Sequence, residues 1–231
     1  MQKNFNPDET KYENRQLVDL TYPISPASQV WPGEEKPEFE AVTSLPEDPA
    51  NVSRIHLNLH SETHIDSPRH FVRGGTTIDE MPIGRFFGRA AVYHHPKEPH
   101  GGEVQLEEVR NTEANLHGKS IFLLDSGLEK LRGQDNYFKD FPVPSEELLD
   151  WLLESGISCY GTDAPSIDPF GSESHERHRQ LLKNEVPVIE NLAGLGRIGS
   201  GEDVLFFAFP LKLKGLEASP CRAGAVKLVE G

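Results

Sequence analysis

The side chains best suited to chemistry lie in one short segment, which reads His60-Ser-Glu-Thr-His64-Ile-Asp66-Ser-Pro-Arg-His70. Three of the ten histidines of the chain fall within it, and an aspartate lies between the second and the third. Two imidazoles and one carboxylate suit zinc, manganese or ferrous iron, and they leave coordination positions open for water and substrate. A lone histidine on a polar face is usually only solvated, but this combination indicates a metal site.

The residues before this segment predict how its side chains are presented. Residues 55–59 alternate between apolar and polar types, which is typical of a β-strand. If the strand continued, its polar face would carry His60, Glu62, His64 and Asp66. A helix would also bring His60 and His64 together, but the alternation and the nearby Pro68 favour a strand followed by a loop.

His70 follows the turn that Pro68 introduces, so its ring could lie over a metal ion without binding it. An imidazole that is not a ligand can act there as a general acid and base, because its pKa lies near neutrality. We therefore predict a catalytic role for His70 and ligand roles for the residues before it.

A second group of polar residues lies nearer the C-terminus. Residues 161–168 directly follow a predicted strand, and on pattern alone they indicate an ordinary turn whose Asp and Ser side chains bond to the backbone. His178 lies on the inward face of a helix predicted over residues 175–184. Glu190 ends an apolar run, so its carboxylate needs a buried partner, which could be a metal ion or equally Arg197.

The elements that would position these groups form an α/β pattern. The clearest helix covers residues 145–156, with a Ser cap, acids in its first turn and a Gly stop. Strands predicted on either side of it, at 120–124 and 157–160, make a strand–helix–strand unit of the parallel crossover type. Further strands are predicted at residues 18–24, 90–93, 186–189 and 204–209. The proline-rich residues 32–50 predict an extended loop, and the whole pattern predicts one α/β domain with a mixed sheet.

Composition and charge narrow the function classes. The formal net charge is −14, from 23 basic and 37 acidic residues without a basic cluster, so neither nucleic acid nor an anionic membrane is an expected partner. The two cysteines cannot supply a disulfide framework or a four-thiolate zinc site. No signal-peptide core or membrane-spanning run is visible in the sequence. We expect a cytoplasmic protein with a loose segment at 1–16 and a single domain at 17–231.

The metal-site segment resembles the signature of the cyclase family of metal-dependent hydrolases, H-x-G-T-H-x-D-x-P-x-H. That family includes bacterial kynurenine formamidase and isatin hydrolase. Every signature position matches except the glycine, which is Glu62 in this chain. The similarity extends roughly from residue 18 to 228 in order and spacing. Its further matching segments are 18–24, 31–33, 161–168, 178–182, 188–192, 210–212 and 218–222.

The resemblance implies a fold, a ligand set and a quaternary structure. Members of the family have an α/β fold of the swivelling β/β/α type, with a barrel-like mixed sheet and flanking helices, and are usually dimers or tetramers. His60, His64 and Asp66 match the first metal ligands of the family. His178 and Glu190 match the pair that completes a binuclear zinc site.

The expected function is hydrolysis of a carbon–nitrogen bond in a linear or cyclic amide, of the arylformamidase type, by water that one or two divalent ions activate. Zinc is the first expectation and manganese the second, because some members of the family bind one manganese ion. His70 matches the catalytic histidine of the family and would pass a proton to the leaving nitrogen. A lactone or ester hydrolase is the nearest alternative. A non-catalytic metal-containing binder of small molecules is a third, which the retained His70 disfavours.

The sequence also suggests residues of the substrate pocket, namely Trp31, Glu62, Phe86, Phe87 and Ser166. For the aromatic residues, packing in the core is an equal alternative. If the strand alternation continued through residue 62, Glu62 would lie on the same face as the metal ligands. Its carboxylate is therefore predicted within or next to these ligands. There it would reduce the pocket volume and disfavour anionic substrates.

Overall fold

The computed structural model describes residues 11–12, 15–96, 98, 100–112 and 116–228. Most of the segment that was predicted to be loose, residues 1–16, lies outside this described part of the chain. The described part contains thirteen strands and three α-helices. The strands are β1 (Lys11–Tyr12), β2 (Arg15–Asp19), β3 (Glu38–Thr43), β4 (Val52–His56), β5 (His64–Asp66), β6 (Phe87–His94), β7 (Gly102–Val104), β8 (Ile121–Asp125), β9 (Pro142–Pro144), β10 (Cys159–Thr162), β11 (Val188–Glu190), β12 (Val204–Pro210) and β13 (Ala218–Lys227). The helices are α1 (Leu106–Arg110), α2 (Glu146–Glu154) and α3 (Glu176–Lys183).

Seven of the strands close into a barrel-like mixed sheet in the order β13-β12-β6-β8-β10-β11-β5, and β5 pairs back onto β13. The neighbours β6, β8, β10 and β11 run parallel to one another, whereas β5, β12 and β13 have antiparallel partners. The predicted parallel crossover is present, because β8 and β10 pair in parallel and α2 connects them. The predicted α/β fold with a barrel-like sheet and flanking helices is therefore confirmed.

The two faces of the barrel carry separate apolar cores, because side chains alternate along each strand. On β8, Ile121 and Leu123 point into the interior core, whereas Phe122 and Leu124 point outward into a second core. The second core lies between the barrel and the buried faces of α2 and α3. The outer face of the barrel beneath these helices is therefore shielded from water.

Local sequence explains the helices that form this cover. Ser145 caps α2, because its Oγ accepts a hydrogen bond from the Leu148 N–H at 3.2 Å. In α3 the buried residues Leu181 and Leu182 share one face with His178, so packing of the apolar stripe carries this histidine to the barrel. None of the helices within the described residues has the length and hydropathy of a membrane span.

Two predictions of local structure near the site were wrong. The extended loop predicted over residues 32–50 contains β3, which pairs with β4 in a separate two-stranded hairpin. The strand predicted over 55–59 ends at His56, and residues 57–63 form turns and bends. The side-chain alternation of β4 therefore does not continue into the site segment.

The strand that closes the barrel, β13, was not predicted. Its Cys221, Ala223 and Ala225 alternate with Arg222 and Gly224, but alanine and glycine have low strand propensity, so the pattern is weak. Its extended conformation depends instead on ladders with β12, β2 and β5. The strand predicted at 18–24 also shifts, since β2 ends at Asp19 where it pairs with β13.

Candidate metal centre

Two neighbouring strands present the central acidic and imidazole groups. In the β5–β11 ladder, His64 lies opposite Glu190 and Asp66 lies opposite Val188. Paired residues project from the same face of a sheet, so His64, Asp66 and Glu190 share the outer face of the barrel. Ile65, between the two ligand candidates of β5, fills the interior core.

Two further histidines approach the same place from other elements. His60 lies in the turn before β5, and its Nδ1 is 2.9 Å from Asp66 Oδ1. His178 projects from α3, and its Nε2 lies 3.0 Å from Glu190 Oε1 and 3.6 Å from Asp66 Oδ2. His64 Nε2 lies 3.4 Å from Asp66 Oδ1 and 3.4 Å from Glu190 Oε2. The structure thus brings together all five side chains that the sequence analysis named as ligands.

Among the described residues, three sets of possible ligand atoms lie within 4.8 Å of one another, and the five side chains named above make up two of them. These two sets are His60, His64 and Asp66, and Asp66, His178 and Glu190, whereas the third consists of Asp168, His175 and His178. Because Asp66 belongs to the first two sets, its carboxylate could serve two neighbouring cations. Arg197, the other partner considered for Glu190, bonds instead to the carbonyl oxygens of Asp19 and Gly194.

The surroundings of these atoms favour positive charge. His64 Nε2 and both oxygens of Asp66 are buried and find no hydrogen-bond partner among the described residues. Burial lowers the pKa of His60, but Asp66 outweighs burial and raises that pKa to about 9. Burial also lowers the pKa of His64, but Asp66 and Glu190 outweigh it and raise that pKa to about 10. Buried, unbonded ligand atoms that stabilise a positive charge are the atoms a divalent cation would satisfy, so the donor set fits a metal.

His70 lies beside the two sets and belongs to neither. It ends a 3₁₀ turn, Pro68–His70, and its Nε2 is 3.9 Å from Asp66 Oδ2. Its ring lies against that of His60 with 4.2 Å between the ring centroids. Burial lowers the pKa of His70 to about 4, against the opposing effect of Asp66. The ring is therefore neutral at pH 7, and its Nε2 is a weaker base than a free imidazole.

Two of the ligand candidates are oriented through their second ring nitrogen. His178 Nδ1 lies 2.6 Å from Asp168 Oδ2, and His64 Nδ1 lies 2.8 Å from the carbonyl oxygen of Glu62. Both acceptors assign the proton to Nδ1. In the neutral ring each Nε2 would then carry no proton and would face the acids, which is the tautomer that metal binding requires.

A cavity of about 290 Å³ opens onto this site. Trp31, Phe71 and Phe138 form an apolar wall, and Ser166 adds a hydroxyl group. The polar floor consists of His60, His64, Asp66, His70, His178 and Glu190. An apolar wall facing a few converging polar groups is typical of a site for a small organic molecule.

Three residues predicted for the pocket lie elsewhere. Phe86 packs in the interior core, and Phe87 is exposed on β6. Glu62 is buried, but its carboxylate pairs with Arg132 outside the cavity. Its φ of 56° places it in an irregular turn, where strand alternation does not set the direction of a side chain. The prediction that its carboxylate narrows the pocket is therefore wrong.

From the sequence, neither Asp168 nor His175 was given a part in the site. Asp168 was treated as a turn residue, although its place after a strand and before the helix of His178 was an available signal. It also accepts hydrogen bonds from two backbone N–H groups at the start of α3. His175 caps α3 at the cavity rim, where its ring stacks on Phe71 with 4.5 Å between centroids.

Comparison with known proteins gives a family match and similar relatives. The family model described as "Putative cyclase" matches residues 18–169. A curated kynurenine formamidase from Salinibacter ruber is 31% identical over 210 residues, which cover 90% of this chain and 95% of that protein.

Solved structures extend the similarity to the fold. Isatin hydrolase A from Labrenzia aggregata, bound to benzyl benzoate, has a TM-score of 0.81 and 24% identity, covering 92% of this chain and 93% of that chain. A structure described as a potential metal-dependent hydrolase with cyclase activity has a TM-score of 0.71 and 25% identity, covering 94% of this chain and 100% of that chain. The whole barrel and its helices therefore have counterparts in known structures.

Proposed function

The chain belongs to the Cyclase family and is a metal-dependent amide hydrolase, and we propose that it cleaves the carbon–nitrogen bond of an aryl formamide or a related cyclic amide. The observation that carries this proposal is the meeting of two sets of possible ligands on the floor of one cavity. The kynurenine formamidase relative supports amide chemistry. The apolar wall of the cavity supports an aromatic substituent on the substrate.

We assign ligand roles to His60, His64, Asp66, His178 and Glu190. A divalent cation held there would polarise a carbonyl oxygen and lower the pKa of water. Asp66 would be a ligand of either ion, because its Oδ1 lies 2.9 Å from His60 Nδ1 and its Oδ2 lies 3.6 Å from His178 Nε2. Histidine and carboxylate ligands suit zinc, which we propose first, with manganese as the alternative.

We assign proton transfer to His70, since its ring is neutral and lies on the cavity floor. Its Nε2 would accept a proton from the attacking water and deliver that proton to the leaving nitrogen. Trp31 and Phe138, edge to face with 5.8 Å between ring centroids, would pack against the aryl group and exclude water. Ser166 lines the same cavity, and its hydroxyl would orient the substrate.

Two measurements test this proposal: the metal content of the purified protein and its hydrolysis rates on a panel of substrates. We expect elemental analysis of the purified protein to find one or two zinc or manganese ions per chain. Formanilide should be hydrolysed faster than a cyclic imide or a lactone, chelation should abolish the activity, and added zinc should restore it. Full activity in metal-free protein would contradict the proposal, and a preference for the lactone would favour the ester hydrolase instead.

We also propose that the enzyme is a cytoplasmic homodimer or homotetramer. Exposed apolar side chains on the β3–β4 hairpin support an oligomer, since Phe39 and Ile55 pair on one face and Val42 and Val52 are exposed as well. The free thiols of Cys159 and Cys221 suit a reducing compartment. Analytical ultracentrifugation should give a mass of two or four chains, and a monomer at micromolar concentration would contradict this.

A further inference from the structure

The turn before His64 and the turn after Glu190 each contain a non-glycine residue in the left-handed region. Glu62, with φ of 56°, lies two residues before His64, and Asn191, with φ of 54°, directly follows Glu190. Such a backbone conformation is unfavourable for an L-residue with a side chain, so it persists where surrounding contacts hold it. The position of both ligand candidates therefore depends on what holds these turns.

From outside the cavity, Arg132 contacts the turn of Glu62 directly and the turn of Asn191 through Tyr137. Its guanidinium pairs with the buried carboxylate of Glu62. The same group donates a hydrogen bond to Tyr137 Oη at 3.3 Å, and Tyr137 Oη donates to Asn191 Oδ1 at 2.9 Å. The guanidinium carbon also lies 3.6 Å from the ring centroid of Tyr22, which fixes its plane. One side chain thus links residues that are far apart in the sequence.

These links end at atoms that orient ligand candidates. The carbonyl oxygen of Glu62 accepts a hydrogen bond from His64 Nδ1 at 2.8 Å. The backbone conformation of Glu62 therefore sets the direction of the His64 ring. On the other turn, the carbonyl oxygen of Asn191 accepts a hydrogen bond from Thr63 Oγ1 at 2.6 Å. The two turns are therefore joined directly through Thr63 and indirectly through Arg132.

We propose that Arg132 is a positioning residue of the metal centre, which acts through Glu62 on His64 and through Tyr137 on the turn of Glu190. The inference rests on the ligand roles proposed above for His64 and Glu190. A buried ion pair is often no more stabilising than apolar packing of the same volume, so a geometric role accounts for this pair better than a contribution to stability. Glu62 replaces the family glycine here, and Arg132 supplies the partner that its carboxylate needs.

The decisive experiment compares Arg132→Ala with the wild-type holoenzyme. Zinc affinity is measured by competition with a chelator, and the melting temperature is measured on metal-stripped protein. We expect zinc affinity to fall about 10- to 100-fold, the usual effect of removing an outer partner of a ligand. We also expect kcat to fall while KM changes little, because Arg132 does not line the cavity. Arg132→Lys should recover part of the affinity, since lysine keeps the charge and loses the planar fork.

Arg110→Ala is the matched control, because Arg110 also lies over an aromatic ring, that of Trp151 at 5.6 Å, and is exposed on α1. Its zinc affinity should equal that of the wild type. Glu62→Gly tests the route of the effect, since glycine adopts the left-handed conformation freely and the substitution removes the side chain that pairs with Arg132. Arg132→Ala should then reduce zinc affinity by a smaller factor in the Glu62→Gly background than in the wild type.

Unchanged zinc affinity in Arg132→Ala, with a lower melting temperature of the stripped protein, would overturn the inference and leave a structural ion pair. If Arg132→Ala does not fold, Tyr137→Phe replaces it, because it removes only the hydroxyl that links Arg132 to Asn191. A zinc affinity unchanged in Tyr137→Phe would again overturn the inference. Wild-type protein that takes up no metal would overturn the proposed metal centre, and this inference with it.

Discussion

Two adjacent stretches of the chain, the β3–β4 hairpin and the site segment 60–70, combine regularity and burial in opposite ways. The hairpin has a regular antiparallel ladder, yet nearly all of its side chains are exposed. The site segment contains only the three residues of β5 and a 3₁₀ turn of three residues, yet most of it is buried. In these two stretches, the regular secondary structure is therefore exposed, whereas the candidate site is buried and largely irregular.

The difference follows from where the backbone groups find partners. In the hairpin, neighbouring strands satisfy one another without help from the rest of the molecule. In the site segment, Ser67 uses both its N–H and its Oγ to bond to the carbonyl oxygen of Glu217, and Thr63 reaches Asn191. The site is thus held by residues distant in sequence, and substitutions should affect the two stretches very differently.

The largest effect should come from exchanging a histidine in the site segment. We expect His64→Ala to lose both bound metal and activity, because His64 Nε2 lies 3.4 Å from Asp66 Oδ1 and 3.4 Å from Glu190 Oε2. Elemental analysis and formanilide turnover measure the two losses. His56→Ala, in the exposed hairpin strand, is the control and should behave as the wild type. Metal retained in His64→Ala would remove His64 from the ligand set.

A smaller loss is expected at His70, which lies in the same buried segment. His70→Ala should keep its metal but lose about 10²–10⁴-fold in kcat, the usual contribution of a general acid and base. Metal content and steady-state kinetics on one preparation test both parts. If the purified variant contains no metal, His70 is a ligand, and its assignment as the general acid and base is wrong.

A still smaller effect, on metal affinity, should come from a substitution of Asp168, the partner of His178. Asp168→Asn keeps the shape of the side chain but can turn an N–H toward His178 Nδ1, which lies 2.6 Å from Asp168 Oδ2. We expect metal affinity to fall about 10- to 100-fold. Asp140→Asn is the control, because Asp140 also pairs with a histidine, His100, but both are exposed. Equal affinities in the two variants would show that Asp168 does not orient His178.

Two isoleucines ten positions apart allow the stability of the site segment and of the hairpin to be compared directly. Ile65 is fully buried in β5, and Ile65→Ala should lower the free energy of unfolding by about 2–5 kcal/mol. Ile55 is 55% exposed in the hairpin, where it faces Phe39 across the ladder, and Ile55→Ala should cost less than about 1 kcal/mol. Urea denaturation of metal-stripped protein measures both. Equal losses would mean that the hairpin packs as tightly as the site segment does.

The sequence predicted the side chains that the structure brings together at the site, together with some of the elements around them. The ligand types and their spacing between His60 and His70 are local, and the resemblance added His178 and Glu190. The capped helix α2 and the crossover between β8 and β10 were also predicted, because caps and apolar periodicity act within a few residues.

Tertiary structure decided what holds the site. The pair of Glu62 with Arg132 spans 70 residues, and the bond of Ser67 to Glu217 spans 150. The strand β13 is extended only because three other strands pair with it. Such contacts form between chain segments that meet only on folding, so they leave no periodic pattern for sequence analysis to detect. The direction of Glu62, away from the cavity and toward Arg132, is therefore a property of the folded chain.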